Sequence, residues 1–102
     1  MTNNALTSAQ QQRALDLVAA WLGPQMGHDG PAPTGQEAAN RAEGPWLHPT
    51  WDWPSEPTPT ILLEGGPYDW ALQASWALQP DFTAIGVFAE PYAGYALCLY
   101  PA

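Results

Sequence analysis

Proline constrains this chain more than any other residue. Eight of its twelve prolines fall between Gly23 and Thr60. Lacking a backbone N–H and holding φ at about −65°, proline interrupts helix interiors and central strands alike. The regular framework is therefore expected at the two ends, in residues 1–23 and 60–102. Residues 24–59 would form a long Pro/Gly/Trp-rich irregular connection inside a single domain. A chain of 102 residues buries roughly 60 to 70% of the surface it exposes when unfolded, enough for one modest core.

The N-terminal end reads as a helix over residues 8–22. Thr7 or Ser8 can cap it with Gln10 or Gln11 three positions on, and Gly23-Pro24 stops it. Leu15, Val18 and Leu22 follow helical spacing, as do Ala14, Leu17 and Trp21 one position earlier, so one broad apolar face should lie on a sheet. Arg13 and Asp16 belong to the wet side. Within the connection, Thr34 and Glu37 form a capping pattern, Glu37 and Arg41 stand four apart, and Gly44-Pro45 ends the run, which predicts a short helix near 35–43. The following PWLHPTWDWPSEPTPT should be extended or polyproline-like, packed down by its own aromatics or used for binding.

The C-terminal end reads as sheet. Tyr68, Trp70, Leu72, Ala74, Trp76 and Leu78 occupy every even position, the alternation of a half-buried strand, in which Gln73 and Ser75 would face outward. Gln79-Pro80-Asp81 breaks that run, a second strand covers 84–89, Glu90 to Gly94 turns, and 95–100 returns. Residues 60–64, led by Ile61, form a further strand or the first half of the one containing Trp70. The class expected is α+β, with the N-terminal helix packed on a three- to four-stranded antiparallel meander. Gly65-Gly66-Pro67 in EGGPYDW reads as a turn or bulge, because a phosphate cradle needs a helix to follow and a strand is expected there.

Charge narrows the function. Ten acids oppose only Arg13 and Arg41, giving a formal −8 and a pI near 4.1. Direct nucleic-acid binding, which needs cations for phosphates, is a poor fit. The single Cys98 permits no internal disulfide and no cysteine-based zinc site, and its apolar setting suits a buried thiol. No apolar run approaches a membrane span, and the N-terminus lacks the marks of a signal peptide, so a soluble cytoplasmic protein is expected. His28 and His48 read as loop residues and the serines lack a nucleophile-elbow setting, so neither metal, cofactor nor hydrolase triad is indicated.

Trp46, Trp51 and Trp53, interleaved with Asp52 and Glu56, combine aromatic faces and carboxylates, a composition that suits a basic protein partner. The competing reading folds these tryptophans into the core. Glu64 and Asp69 are the carboxylates an alternative carbohydrate or small-ligand binder, or a weak hydrolase, would use with the Trp segment. GPYDWA followed by GVFAEPYAGYALCLYP resembles the C-terminal half of uncharacterised small proteins of actinobacteria and their phages, over about the last 40 residues. That resemblance implies a phage or mobile-element accessory protein and carries no fold, ligand or activity. The leading expectation is thus a non-enzymatic acidic interaction protein.

Overall fold

A computed structural model describes residues 6–25, 45–51, 58–63 and 69–102. The short helix expected near 35–43 and the Gly65-Gly66-Pro67 segment lie outside the described residues. Within them the order of elements is α1 (Ser8–Gln25), β1 (Trp46–Trp51), β2 (Thr58–Leu62), α2 (Trp70–Ala84), β3 (Val87–Ala93) and β4 (Ala96–Pro101). The fold is α+β with a four-stranded antiparallel sheet.

Helix α1 begins as its capping pattern requires. Thr7 N donates to Gln10 Oε1 at 2.9 Å, and Gln10 N donates to Thr7 Oγ1 at 3.0 Å, two otherwise orphaned donors satisfied reciprocally. Ala14, Leu15, Val18, Ala19 and Leu22 are buried, while Arg13 is exposed. The helix runs past Gly23-Pro24 to Gln25, a correction to the expected stop. A proline in a last turn removes a single bond, to the carbonyl four residues back, and ends the helix only slightly later.

The larger correction concerns residues 68–78, expected as a strand. Trp70–Ala84 is an α-helix. It buries Ala71, Ala74, Ser75, Leu78 and Phe82, a stripe of spacing three to four that turns small residues toward its neighbours. The even-numbered aromatics follow the helix instead of the pleat. Trp76 is 72% exposed and Trp70 only half-buried, its ring meeting Trp21 of α1 edge-on at 6.0 Å. Ser75, expected outside, is buried and its hydroxyl donates to the Leu72 carbonyl at 2.8 Å. Pro80 sits inside α2, on its exposed side.

The sheet order is β1-β2-β4-β3, two hairpins joined side by side through β2 and β4. It is meander-like without being strictly sequential, because α2 lies between β2 and β3 in the chain and sends β3 to the outer edge. The proline problem is solved by position. Each strand carries one proline: Pro49 where the β1–β2 register shifts between His48 and Trp51, Pro59 outside the residues of β2 that pair with β4, Pro91 where the β3–β4 register shifts, and Pro101 at the end of β4. Edges, irregularities and ends are where a missing donor costs least. Part of the segment 24–59 is consequently strand, contrary to the irregular course expected.

Gly86 closes the junction of α2 and β3. Its φ of 78° is left-handed, and its N–H donates to the Thr83 carbonyl at 3.0 Å, the usual glycine ending of a helix. The strand expected over 84–89 therefore starts at Val87 and continues to Ala93, and the turn moves to Gly94-Tyr95. Gln10 binds this junction to α1: its Nε2 donates to the Ile85 carbonyl at 3.1 Å while its Oε1 serves the α1 cap.

The core lies between the helices and one sheet face. Ile61, Leu63, Val87, Ala89, Leu97 and Leu99 meet the helical residues Leu15, Val18, Leu22, Leu78 and Phe82 there. Because side chains alternate across a strand, Trp46, Thr60, Leu62, Phe88, Glu90, Ala96, Cys98 and Tyr100 belong to the opposite, outer face.

Candidate functional site

Among the described residues, two places bring chemistry-bearing groups together. The first is the outer sheet face. In register, Phe88 stands opposite Tyr100 and Glu90 opposite Cys98, with Thr60 beyond Cys98 on β2. The Phe88 and Tyr100 rings lie 6.4 Å apart, tilted by 34°. Towards the middle of the sheet the small residues Thr60, Ala96 and Cys98 are buried. Thr60 Oγ1 donates to the Thr58 carbonyl at 2.9 Å and stands 3.7 Å from Cys98 Sγ. Towards the β3 edge the face is wet: Phe88 is 41% exposed and Glu90, two residues on, is exposed, while the 47% exposed Tyr92 sits at the register shift beyond Pro91.

The electrostatics of this face are coupled. Burial pushes the Tyr100 phenol above its ordinary value, and the neighbouring Cys98 and then Glu90 push it further, with a smaller upward contribution from its hydrogen bond with Cys98. Glu90 thus acts on Tyr100 diagonally across the β3–β4 ladder, the separation at which long side chains still interact. Cys98 is a free, buried thiol, as its apolar setting implied.

The second place is a cleft of about 410 Å³ between α1 and the end of α2. Leu17, Ala20, Ala84 and Ile85 form its apolar wall, and Arg13, Asp16 and Asp81 its rim. Asp16 accepts from Gln12 Nε2 at 3.3 Å, one helical turn away.

The residues singled out from sequence are only partly placed. Trp46 opens β1 opposite Leu62 and is half-buried, so it is neither a free platform nor a member of the main core. Trp51 occupies the last position of β1, opposite Thr58 in register. Asp52, Trp53, Glu56 and Glu64 lie outside the described residues. Asp69 is exposed and holds the position before α2 in a left-handed conformation, φ 48° and ψ 52°, making no side-chain bond to the helix. A Cβ on Gly94 would come within 2.7 Å of its Oδ1, and Ala71 N donates to the Gly94 carbonyl at 3.0 Å. Its visible work is to seat the start of α2 on the β3–β4 turn. His48 lies in β1, not in a loop.

Phe88, Glu90 and Tyr100 were not singled out from sequence. The signal was present in VFAEPYA, whose polar and aromatic members alternate with small apolar ones, but it was read as a short strand ending in a turn at Glu90. No described helix is long and apolar enough to cross a membrane. No family of known proteins, no curated protein and no solved structure matches the chain.

Proposed function

We propose that this protein is a small acidic interaction protein, without catalytic activity, that binds a basic protein through a negative surface containing exposed aromatic side chains. The carrying observation is the wet half of the outer sheet face, where a 41% exposed Phe88 stands two residues from an exposed Glu90. A chain of net charge −8 with two cations attracts basic partners over distance. Exposed aromatics supply the short-range anchor that charge alone lacks. Trp46, Trp51, Asp52, Trp53 and Glu56 are the further aromatic and acidic groups that the sequence offers to such a partner, and a role as a cytoplasmic phage or mobile-element accessory protein fits the reading.

The test is salt. Binding to a basic partner captured at about 50 mM salt should fall steeply by about 500 mM, since exposed charges further apart than roughly 10 Å are largely screened at 0.1 M. Asp52→Asn with Glu56→Gln should slow association, whereas Trp51→Ala or Trp53→Ala should speed dissociation. Salt-insensitive capture would end this reading. The cleft between α1 and α2 favours a second one, a small-ligand binder, because its volume falls in the range of roughly 300–1,000 Å³ typical of such sites. The version of that reading that uses the Trp segment with Glu64 and Asp69 belongs elsewhere, since Asp69 stands at the start of α2, not among the cleft residues.

A further inference from the structure

We infer that the Phe88–Tyr100 ring pair together with Glu90 forms a docking shelf for an arginine side chain of the basic partner. This rests on the reading above and names the group that is recognised and where. Three observations converge on arginine. The rings stand opposite each other across the ladder, with 6.4 Å between centroids and planes 34° from parallel, so two π systems are held together on the outer face. Glu90 follows Phe88 by two residues on the same side of β3, which sets a carboxylate at the margin of that surface. Arg13, the one described cation, belongs to α1 in the helix layer, so no described cation of this chain occupies the shelf.

A guanidinium suits this arrangement on two counts. Its flat face can lie on the rings while its edge donates two hydrogen bonds to one carboxylate. A lysine ammonium would meet Glu90 as a point charge and keep most of its hydration, and it has no plane to lay on the rings. A methylated ammonium needs enclosure by several aromatic walls, and two rings at this tilt form a shelf, not a cage. Recognition of a partner's backbone by strand addition is disfavoured at the same edge, because Pro91 and Glu90 interrupt and charge β3. The contact is therefore read through side chains.

A fluorescently labelled peptide of alternating arginine and serine, and a lysine–serine peptide of the same length and charge, distinguish the possibilities when titrated against the full chain at low salt. The arginine peptide should bind about 5- to 10-fold more tightly than the lysine peptide, the equivalent of one partly exposed cation–π contact. Glu90→Gln and Phe88→Leu should each remove most of that preference, Phe88→Leu while leaving the lysine peptide nearly unaffected and Glu90→Gln while weakening it less than the arginine peptide, and amide shifts on arginine-peptide binding should concentrate in residues 87–101. Both substituted side chains are exposed, and melting curves within a few degrees of the parent exclude unfolding as the cause. If both peptides bind equally, or if the two variants keep the preference, the shelf is refuted while the acidic-surface reading stands. If neither peptide binds at any salt concentration, both fall.

Discussion

Gly86→Ala is the substitution that tests the architecture most directly, because one amide side chain and one backbone conformation meet there. Gly86 has φ 78°, and a Cβ on it would lie 2.9 Å from Gln10 Nε2. Holding an alanine in the left-handed region costs about 1–2 kcal/mol. Reduced freedom of the unfolded chain returns about 0.4–1 kcal/mol of that. Displacing Gln10 weakens its bond to the Ile85 carbonyl, which contributes about 0.5–1.5 kcal/mol. The net loss is about 2 kcal/mol, or a fall of roughly 8–16 °C in Tm for a domain of this size. Urea melts of Gly86→Ala, Gln10→Ala and the double variant separate the two parts. If Gln10 is the obstacle, alanine at 86 should cost about 1 kcal/mol less once Gln10 is gone. A single-variant cost below about 0.5 kcal/mol, or an identical cost in both backgrounds, would refute the account of this junction.

Four further outcomes are expected. Phe82→Ala, which empties a fully buried site under the sheet, should cost about 3–5 kcal/mol in equilibrium denaturation and bring the domain near the limit of stability. Trp76→Ala should change stability by no more than about 0.5 kcal/mol, since the ring stands mostly in solvent; a loss of several kcal/mol would show that the ring packs in the core. Tyr100→Phe should flatten the alkaline limb of the stability curve: the folded phenol titrates above the unfolded one, so its contribution is complete below about pH 10 and is lost as pH rises through the folded value. Asp69→Asn should melt like the parent, because asparagine accepts the left-handed conformation, whereas Asp69→Val should be destabilising.

What sequence could reveal differed from element to element for physical reasons. The start of α1 was readable because a capping box is a local device: two hydrogen bonds among residues three apart need nothing from the rest of the chain. The C-terminal strand was readable because ALCL, buried along its length, is a continuous apolar run. Helix α2 was misread because its large residues fall on even positions while its buried face is built from small ones. Ala71, Ala74, Ser75 and Leu78 carried the helical period, yet weighting by hydrophobic size let Trp70, Leu72 and Trp76 dominate. Giving alanine and serine equal votes, and asking how a 15-residue run fits strand lengths of usually 3–10 residues, would have favoured the helix. The site was harder to find, because the opposition of Phe88 to Tyr100 and of Glu90 to Cys98 exists only once β3 and β4 are in register.

The same misreading bears on function. While Trp70 and Trp76 counted as core, the acidic-aromatic surface was sought in the Trp/Pro segment. With α2 turning Trp76 outward and β1 holding Trp46 half-buried beside the sheet, large aromatics reach solvent in both layers of the fold. They are not equivalent as anchors. Trp76 stands on the helix layer beside exposed Gln73, Ala77 and Pro80, a setting without charge. Phe88 has an acid two residues away and a second ring opposite it, so both terms of a contact with a cation are already in place on a paired β ladder. Little further ordering is needed at that site when a partner arrives, and preorganisation of this kind lets a small surface discriminate among basic partners instead of attracting all of them alike.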